Sequence, residues 1–406
     1  MRIAFYGNIC NNLYIVCKAL KKYSDIDVHL YLAGQVDIQN RPESEDPELE
    51  NNYPYWIHKD NKWNPKLAIL KRSRSFIREL NKYDIAILSD LGPALSPYLK
   101  AKTVFFTTGA DLTRFPFPLK FLNLYKGFDK IKFLVLGYYQ RRGIKNIDQI
   151  WTQPFSPFIN SLKQLKIKPE KIKNAYFPII VDTEKIKYRD DAASAIAPEI
   201  LRQLSPFKFI IFHPARFMIK RDKKMIENGL TKFNDTLIYG FSKFIKENNV
   251  TDACLVMIDR KFSGDIDEAK QIINTEGIEK YCVWIKGKTD EGFTKNELVD
   301  LYSYSNVIAD SFEKIGWIGS IVVEGLACSR PVIHSINDEI NNALYGWHPV
   351  LNAYTPGEVN EQIKKLYLNP ELQKELGSLG RKWVELFHSP ENASKKYVEE
   401  LKRLLD

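Results

Sequence analysis

Cysteine is scarce in this chain of 406 residues. The five, Cys10, Cys17, Cys254, Cys282 and Cys328, are odd in number, scattered and set in apolar runs. That excludes a disulfide framework or a Cys-based zinc site and reads as reduced core thiols of a cytoplasmic protein. Histidine is equally sparse, with six scattered residues. The two Asp-x-Asp pairs, Asp25/Asp27 and Asp265/Asp267, fall where loop or helix-start acids are expected, so no metal ligand set is assigned. No window approaches 18 consecutive apolar residues, which argues against a membrane-spanning helix. The opening MRIAFYGNICNN has a short apolar run and no small-residue cleavage site, so no signal peptide is expected. Its loop, Gly7 to Asn12, is not GxGxxG, which leaves a dehydrogenase-type dinucleotide site without support.

What is present is a globular composition, 44% apolar and 27% charged, at a length that suits two domains of about 200 residues. Apolar strand-like runs alternate with amphipathic helical segments in both halves, which predicts parallel sheets with ligand sites at strand C-termini. Residues 188–205 read as a polar linker, and residues 34–60 as an irregular, acidic excursion. The net charge of +9 is uneven. Residues 1–180 hold 28 Lys+Arg against 16 Asp+Glu, an excess of twelve, while residues 181–406 hold 31 against 34. Between 119 and 153, basic residues such as Lys120, Lys126, Lys130 and Lys132 interleave with Phe121, Tyr125, Phe128 and Phe133. That mixture suits an anionic lipid surface or single-stranded nucleic acid; an ordinary core helix with a solvated basic face is the plainer alternative.

The most informative stretch runs from Asp310 to His334, DSFEKIGWIGSIVVEGLACSRPVIH. Val307 to Ala309 suits a buried strand, Ser320 to Ser329 a helix, and Val332 to His334 the next strand. A Gly-bearing loop between strand and helix presents backbone N–H groups and the positive end of the helix dipole, which favours phosphate or a polar sugar. Glu324 is a lone acid on an apolar helix and needs a partner, either a ligand or a salt bridge, for example with Arg330 or Lys314.

Glu324-Gly325-Leu326-Ala327-Cys328-Ser329-Arg330-Pro331-Val332 resembles the donor-site signature of the retaining family 4 glycosyltransferases. Their pattern is Glu-x7-Glu followed by a run of the type (Gly/Ala)-x-Ala-Cys-Gly-x-Pro-Val. The first Glu is replaced here by Gly316. The resemblance implies that Glu324 holds the ribose hydroxyls. It leaves the sugar and phosphates to main-chain groups over Gly316, Trp317, Ile318, Gly319 and Ser320, with Asp310 or Glu313 as substitutes for the missing acid. Arg216 and the segment Lys232-Phe233-Asn234-Asp235-Thr236-Leu237-Ile238 resemble the family's Arg…Lys-Gly-x-Asp-x-Leu-Ile element, with Phe233 in place of Gly. This implies a diphosphate clamp made by Arg216 and Lys232. Ile285 and Lys286 then lie near the base, and His213 near sugar or phosphate. On the acceptor side the corresponding loops hold Gly7, Asn8, Gly109 and Asp111. Asp111 is the candidate for catalytic work there, with helix capping as the alternative.

The fold implied is α/β, GT-B: two Rossmann-like domains with parallel sheets facing across a cleft and a C-terminal helix crossing back to the first. The expected boundaries are 1–185 for acceptor binding, 186–387 for the nucleotide sugar, and 388–406 for the returning helix. The activity implied is metal-independent, retaining transfer from an NDP-sugar to a glycan or lipid-linked acceptor, with no cofactor. The protein would be cytoplasmic, peripheral on an anionic membrane, and not a nucleic-acid binder. A catalytically inactive sugar-nucleotide-binding subunit and a UDP-sugar epimerase of the same fold are the alternatives.

Overall fold

The computed structural model describes residues 1–33, 40–50, 52–59, 74–173, 179–221, 226, 231–260, 264–287, 292–313 and 318–406. The chain divides into two compact units, Met1–Ile180 with Pro390–Asp406, and Val181–Ser389.

The first unit is a seven-stranded sheet. In chain order its strands are β1 (Arg2–Tyr6), β2 (Asp27–Tyr31), β3 (Ile57–His58), β4 (Ile85–Leu88), β5 (Lys102–Phe106), β6 (Gln149–Trp151) and β7 (Ile172–Lys173). Their spatial order is β3-β2-β1-β4-β5-β6-β7, and every pairing is parallel. Parallel strands covered on both faces are apolar throughout rather than alternating. Accordingly Ile3–Tyr6 and Ile85–Leu88 are buried at every residue. Helix Asn12–Tyr23 crosses from β1 to β2. The last helix, Pro390–Arg403, packs on it and puts Ala393, Tyr397 and Leu401 into the core of this unit.

The second unit is a six-stranded parallel sheet of order β10-β9-β8-β11-β12-β13. These strands are β8 (Phe209–His213), β9 (Ala253–Ile258), β10 (Cys282–Ile285), β11 (Val307–Ala309), β12 (Val332–His334) and β13 (Leu351–Asn352). β8 and β11 are central, so their C-terminal ends, at His213 and Asp310, lie side by side. In both sheets all C-terminal ends share one edge, where loops can converge on a ligand.

Two sequence expectations change. The stretch 188–205 is no linker: helices Ala192–Ala195 and Pro198–Leu204 form there, and Ile196, Ile200 and Leu204, spaced four apart, are buried in the second unit. The excursion 34–60 contributes β3, a two-residue edge strand too short to show periodicity.

Helix Ser320–Ala327, which carries Glu324, is seated against helix Pro370–Phe387 at two glycines. A Cβ at Gly377 would stand 2.1 Å from the carbonyl oxygen of Ser329, and one at Gly380 would stand 2.7 Å from Leu326 Cδ2. Backbone cannot yield as a side-chain tip does. Gly377→Ala is therefore expected to cost about 1–3 kcal/mol in urea unfolding. Gly357→Ala, where the nearest atom is Thr355 Oγ1 at 3.9 Å, should be nearly neutral.

Candidate donor and acceptor sites

In the second unit charge collects where the central strands end. Asp310, 2% exposed, directly follows β11. Its Oδ1 accepts from Lys232 Nζ at 3.0 Å, and its Oδ2 lies 3.8 Å from His334 Nδ1. Burial pushes this carboxyl up, but the charges of Lys232 and His334 outweigh it and hold the group below the usual range. Lys232 is three residues before helix Asp235–Glu247. A cation at a helix N-terminus opposes the dipole unless an anion sits there, and the protein supplies Asp310 as that anion. Arg216 is exposed and has no hydrogen-bond or ion-pair partner among the described residues.

His213 ends β8 and is fully buried. Nδ1 donates to Ala309 O at 2.9 Å and Nε2 accepts from Asn234 Nδ2 at 3.0 Å, the tautomer that satisfies both. Burial lowers its pKa to about 4, so the ring is neutral. Both nitrogens face protein, which makes His213 a strut between β8, β11 and the Lys232 helix rather than a ligand contact.

Two residues that stand where the resembled patterns have glycine adopt a backbone that glycine favours. Phe233 has φ +49° and Ser329 has φ +54°, the left-handed region that side chains disfavour.

Glu324 is 5% exposed. Its Oε1 accepts from Lys295 Nζ at 2.6 Å and its Oε2 from the buried Tyr302 hydroxyl at 3.1 Å. The salt-bridge partner is thus Lys295. Arg330 instead donates to Ser303 O and lies over the Tyr188 ring at 4.5 Å; Lys314 is outside the described residues. Gly316 and Trp317 are outside them as well. Ile318 is buried, and Gly319 is the N-cap of helix Ser320–Ala327, which no side chain caps. Ile285 closes β10, and the exposed Lys286 reaches Asp259 at 3.6 Å.

Two residues gain weight from the structure. Arg260 follows β9, is half-buried, donates to Pro214 O at 3.1 Å and leaves Nε without a partner among the described residues. Burial lowers its pKa, and the charge of Arg216 adds to this. Its one sequence signal is its place after an apolar strand. Glu313 has an unpartnered buried Oε2 among the described residues, and burial pushes its carboxyl up to about 7 despite the charge of Lys232.

In the first unit, Gly7 and Asn8 follow β1. Gly7 has φ +94°, and a Cβ there would stand 2.4 Å from Ser89 Oγ. Asn8 is buried and ties its loop together, donating to Asn11 Oδ1 and Asn40 O and accepting from Tyr14 N. Gly109, at φ +142°, precedes the short helix Ala110–Thr113. Asp111 is fully buried; its carboxylate accepts from the Thr108 and Gly109 N–H groups and the Thr108 hydroxyl. These donors precede the helix, whose N-cap, Gly109, has no side-chain hydrogen bond, so Asp111 ties down the loop ahead of the helix rather than capping it. Burial still raises its pKa to about 7. Asp90, after β4, is raised by burial to about 6. It follows the strand that lies between β1 and β5 and is the more accessible of the two acids. No group of three or more His, Cys, Asp or Glu among the described residues is placed to hold a metal ion, and none of the five cysteines is in a disulfide.

No family model matches this chain, and no curated protein matches it in sequence. Solved structures do match in shape. Anabaena HepE in complex with UDP superposes with a TM-score of 0.66 at 13% identity, covering 99% of this chain and 100% of that one. The same protein with UDP-glucose gives 0.64 at 14%, with the same coverage. A glycosyltransferase from Rickettsia africae gives 0.63 at 17%, covering 100% and 98%. The fold is GT-B. At these identities the likeness fixes the two-unit α/β architecture and leaves the chemistry to the residues.

Glu313 supplies a pH test. Its folded pKa of about 7 lies above the ordinary value of 4.5, so it contributes stability that is present below 4.5 and lost as pH rises through 7. Glu313→Gln removes that loss. The gain in melting temperature over wild type should be small at pH 5 and grow to its full size by pH 8. A difference that does not change with pH would show that the carboxyl is not buried as described.

Proposed function

We propose that this protein is a glycosyltransferase that takes its sugar from a nucleoside diphosphate sugar. The observation that carries the proposal is the set of cations at the strand ends of the second unit: Lys232 held by Asp310, Arg260 half-desolvated, and Arg216 exposed and unpaired. Such a group neutralises a leaving diphosphate as the glycosidic bond loosens, the task that a metal ion performs in other transferases, so the reaction is metal-independent. UDP and UDP-glucose in the structurally similar HepE support a UDP-sugar as the first candidate donor.

The remaining roles follow from the site. Glu324 receives the two ribose hydroxyls through charge-assisted hydrogen bonds, sharing its oxygens with Lys295 and Tyr302. Glu313 takes the sugar-side position left by the missing first Glu, because its buried Oε2 has no partner among the described residues. The uncapped start of helix Ser320–Ala327 offers N–H groups to phosphate. With no carboxylate assigned as a nucleophile, attack from the leaving-group side, with retention, is the proposed course. The first unit binds the acceptor, a glycan or lipid-linked sugar, with Asp90 the accessible acid and Asp111 positioning the Gly109 turn.

Arg216→Ala tests the clamp, since it removes no internal contact. It should leave the melting temperature unchanged and weaken UDP at least about tenfold, roughly 1.4 kcal/mol, while uridine binding barely moves. Equal affinity for UDP in variant and wild type would remove Arg216 from the site and leave the clamp unsupported.

Glu324→Gln is the second test. The Lys295 pair means that it should lower the melting temperature as well as weaken UDP-glucose binding about tenfold or more. Lost stability with unchanged affinity would make Glu324 structural only. Product anomer by NMR checks retention, and turnover in EDTA checks metal independence.

A further inference from the structure

Helix Phe128–Asn146 in the first unit is apolar on two opposite sides. One side, Phe133, Gly137, Gln140 and Ile144, is buried in the unit. The other, Phe128, Ile131, Val135 and Tyr138, is 68%, 55%, 47% and 55% exposed. At 3.6 residues per turn the centres of the two stripes are about 170° apart. The exposed stripe is therefore not the edge of a core but a separate surface. Leu119, in the segment packed against this helix, is 74% exposed. A contiguous run of large apolar groups in water marks a binding surface.

Charge identifies what covers it. Residues 118–146 contain seven Lys or Arg and one acid, Asp129. Lys132 and Lys145 flank the stripe on either side, and Arg142 continues it by one turn. A second copy of this chain would bring these cations against themselves. Nucleic acid would be drawn to the charge but gains nothing from the aliphatic Ile131 and Val135 at the centre. An anionic bilayer surface satisfies both parts, with apolar side chains in the acyl boundary and cations among the headgroups.

The helix is fixed in this attitude. Ser96 Oγ donates to Gly143 O at 2.7 Å, and a Cβ at Gly143 would lie 1.9 Å from Pro93 O. From the buried side Gln140 Nε2 donates to the carbonyls of Asp90 and Asp111, at 2.9 and 3.1 Å. The exposed stripe is thus rigidly connected to the two loops named above for the acceptor.

We infer that the Phe128–Tyr138 stripe and its flanking Lys132, Arg142 and Lys145 dock this protein on an anionic lipid surface, lying in the interface. No helix among the described residues is long and apolar enough to cross a membrane, and docking of this kind needs none.

The experiment is co-sedimentation of the full chain with vesicles of phosphatidylcholine alone or mixed with phosphatidylglycerol, at low and high salt. Binding should require the anionic lipid and weaken with salt. The triple substitution Phe128→Ser/Ile131→Ser/Val135→Ser should weaken it at least about tenfold with no drop in melting temperature, since these groups are exposed. Lys132→Glu/Lys145→Glu should weaken it independently. Four results would each overturn the inference: no vesicle binding, equal binding to neutral vesicles, wild-type binding by the triple variant, or a wild-type dimer or oligonucleotide complex that the triple variant loses while vesicles are ignored. The readout needs no donor or acceptor, so its failure leaves the transferase reading standing, and failure of that reading leaves this one.

Discussion

Every strand pairing among the described residues is parallel, and that constraint organises the rest. A parallel sheet needs a crossover for each step, which covers both faces and makes the strands continuously apolar. It also brings all the strand C-termini to one edge, so polar residues that follow the strands are forced together there. Asp310, His213 and Arg260 are not neighbours in sequence; they meet because β11, β8 and β9 are adjacent and point the same way. A carboxylate delivered to such a place is enclosed and must find a cation. Asp310 finds Lys232, which stands just ahead of the helix that follows β8.

How far this was legible in the sequence depends on the range of the information. Ile3–Tyr6, Ile85–Leu88 and Phe209–His213 announce themselves because a strand buried on both faces is a local composition. The Glu324–Val332 stretch was readable because it combines a buried acid with a helix stop at Pro331. Two-residue strands such as Ile57–His58 and Leu351–Asn352 carry no periodicity and exist only by pairing with a neighbour. The stretch 188–205 misled because its polar residues are numerous, while the three that decide its fate, Ile196, Ile200 and Leu204, are few.

Partners were the least legible. Lys295 reaches Glu324 from 29 positions away on another helix, and no local pattern distinguishes it from Arg330, which is nearer in sequence and goes elsewhere. Glu313 stands in a charged loop like any other acid; its sequence does not reveal the burial that leaves Oε2, like Asp235 Oδ1, without a donor among the described residues. The glycine positions of the resembled elements teach the converse. Phe233 and Ser329 look like departures in one-letter code, yet both hold the left-handed backbone that glycine adopts most readily.

Two of the charged residues that the resemblance singled out, Lys232 and Glu324, are each already paired within the second unit, one with an acid and one with a base. If the proposed function holds, a donor enters by partner exchange: diphosphate competes with Asp310 for Lys232, and ribose hydroxyls share Glu324 with Lys295. Exchange of this kind keeps both charges compensated throughout, so neither is left buried alone at a cost of several kcal/mol in the ligand-free state. It also limits affinity, because each new bond is gained against one loosened. Arg216 stands outside that exchange. Unpaired and exposed, it gives up no internal contact to meet phosphate, and so it can supply attraction that Lys232 partly spends on Asp310.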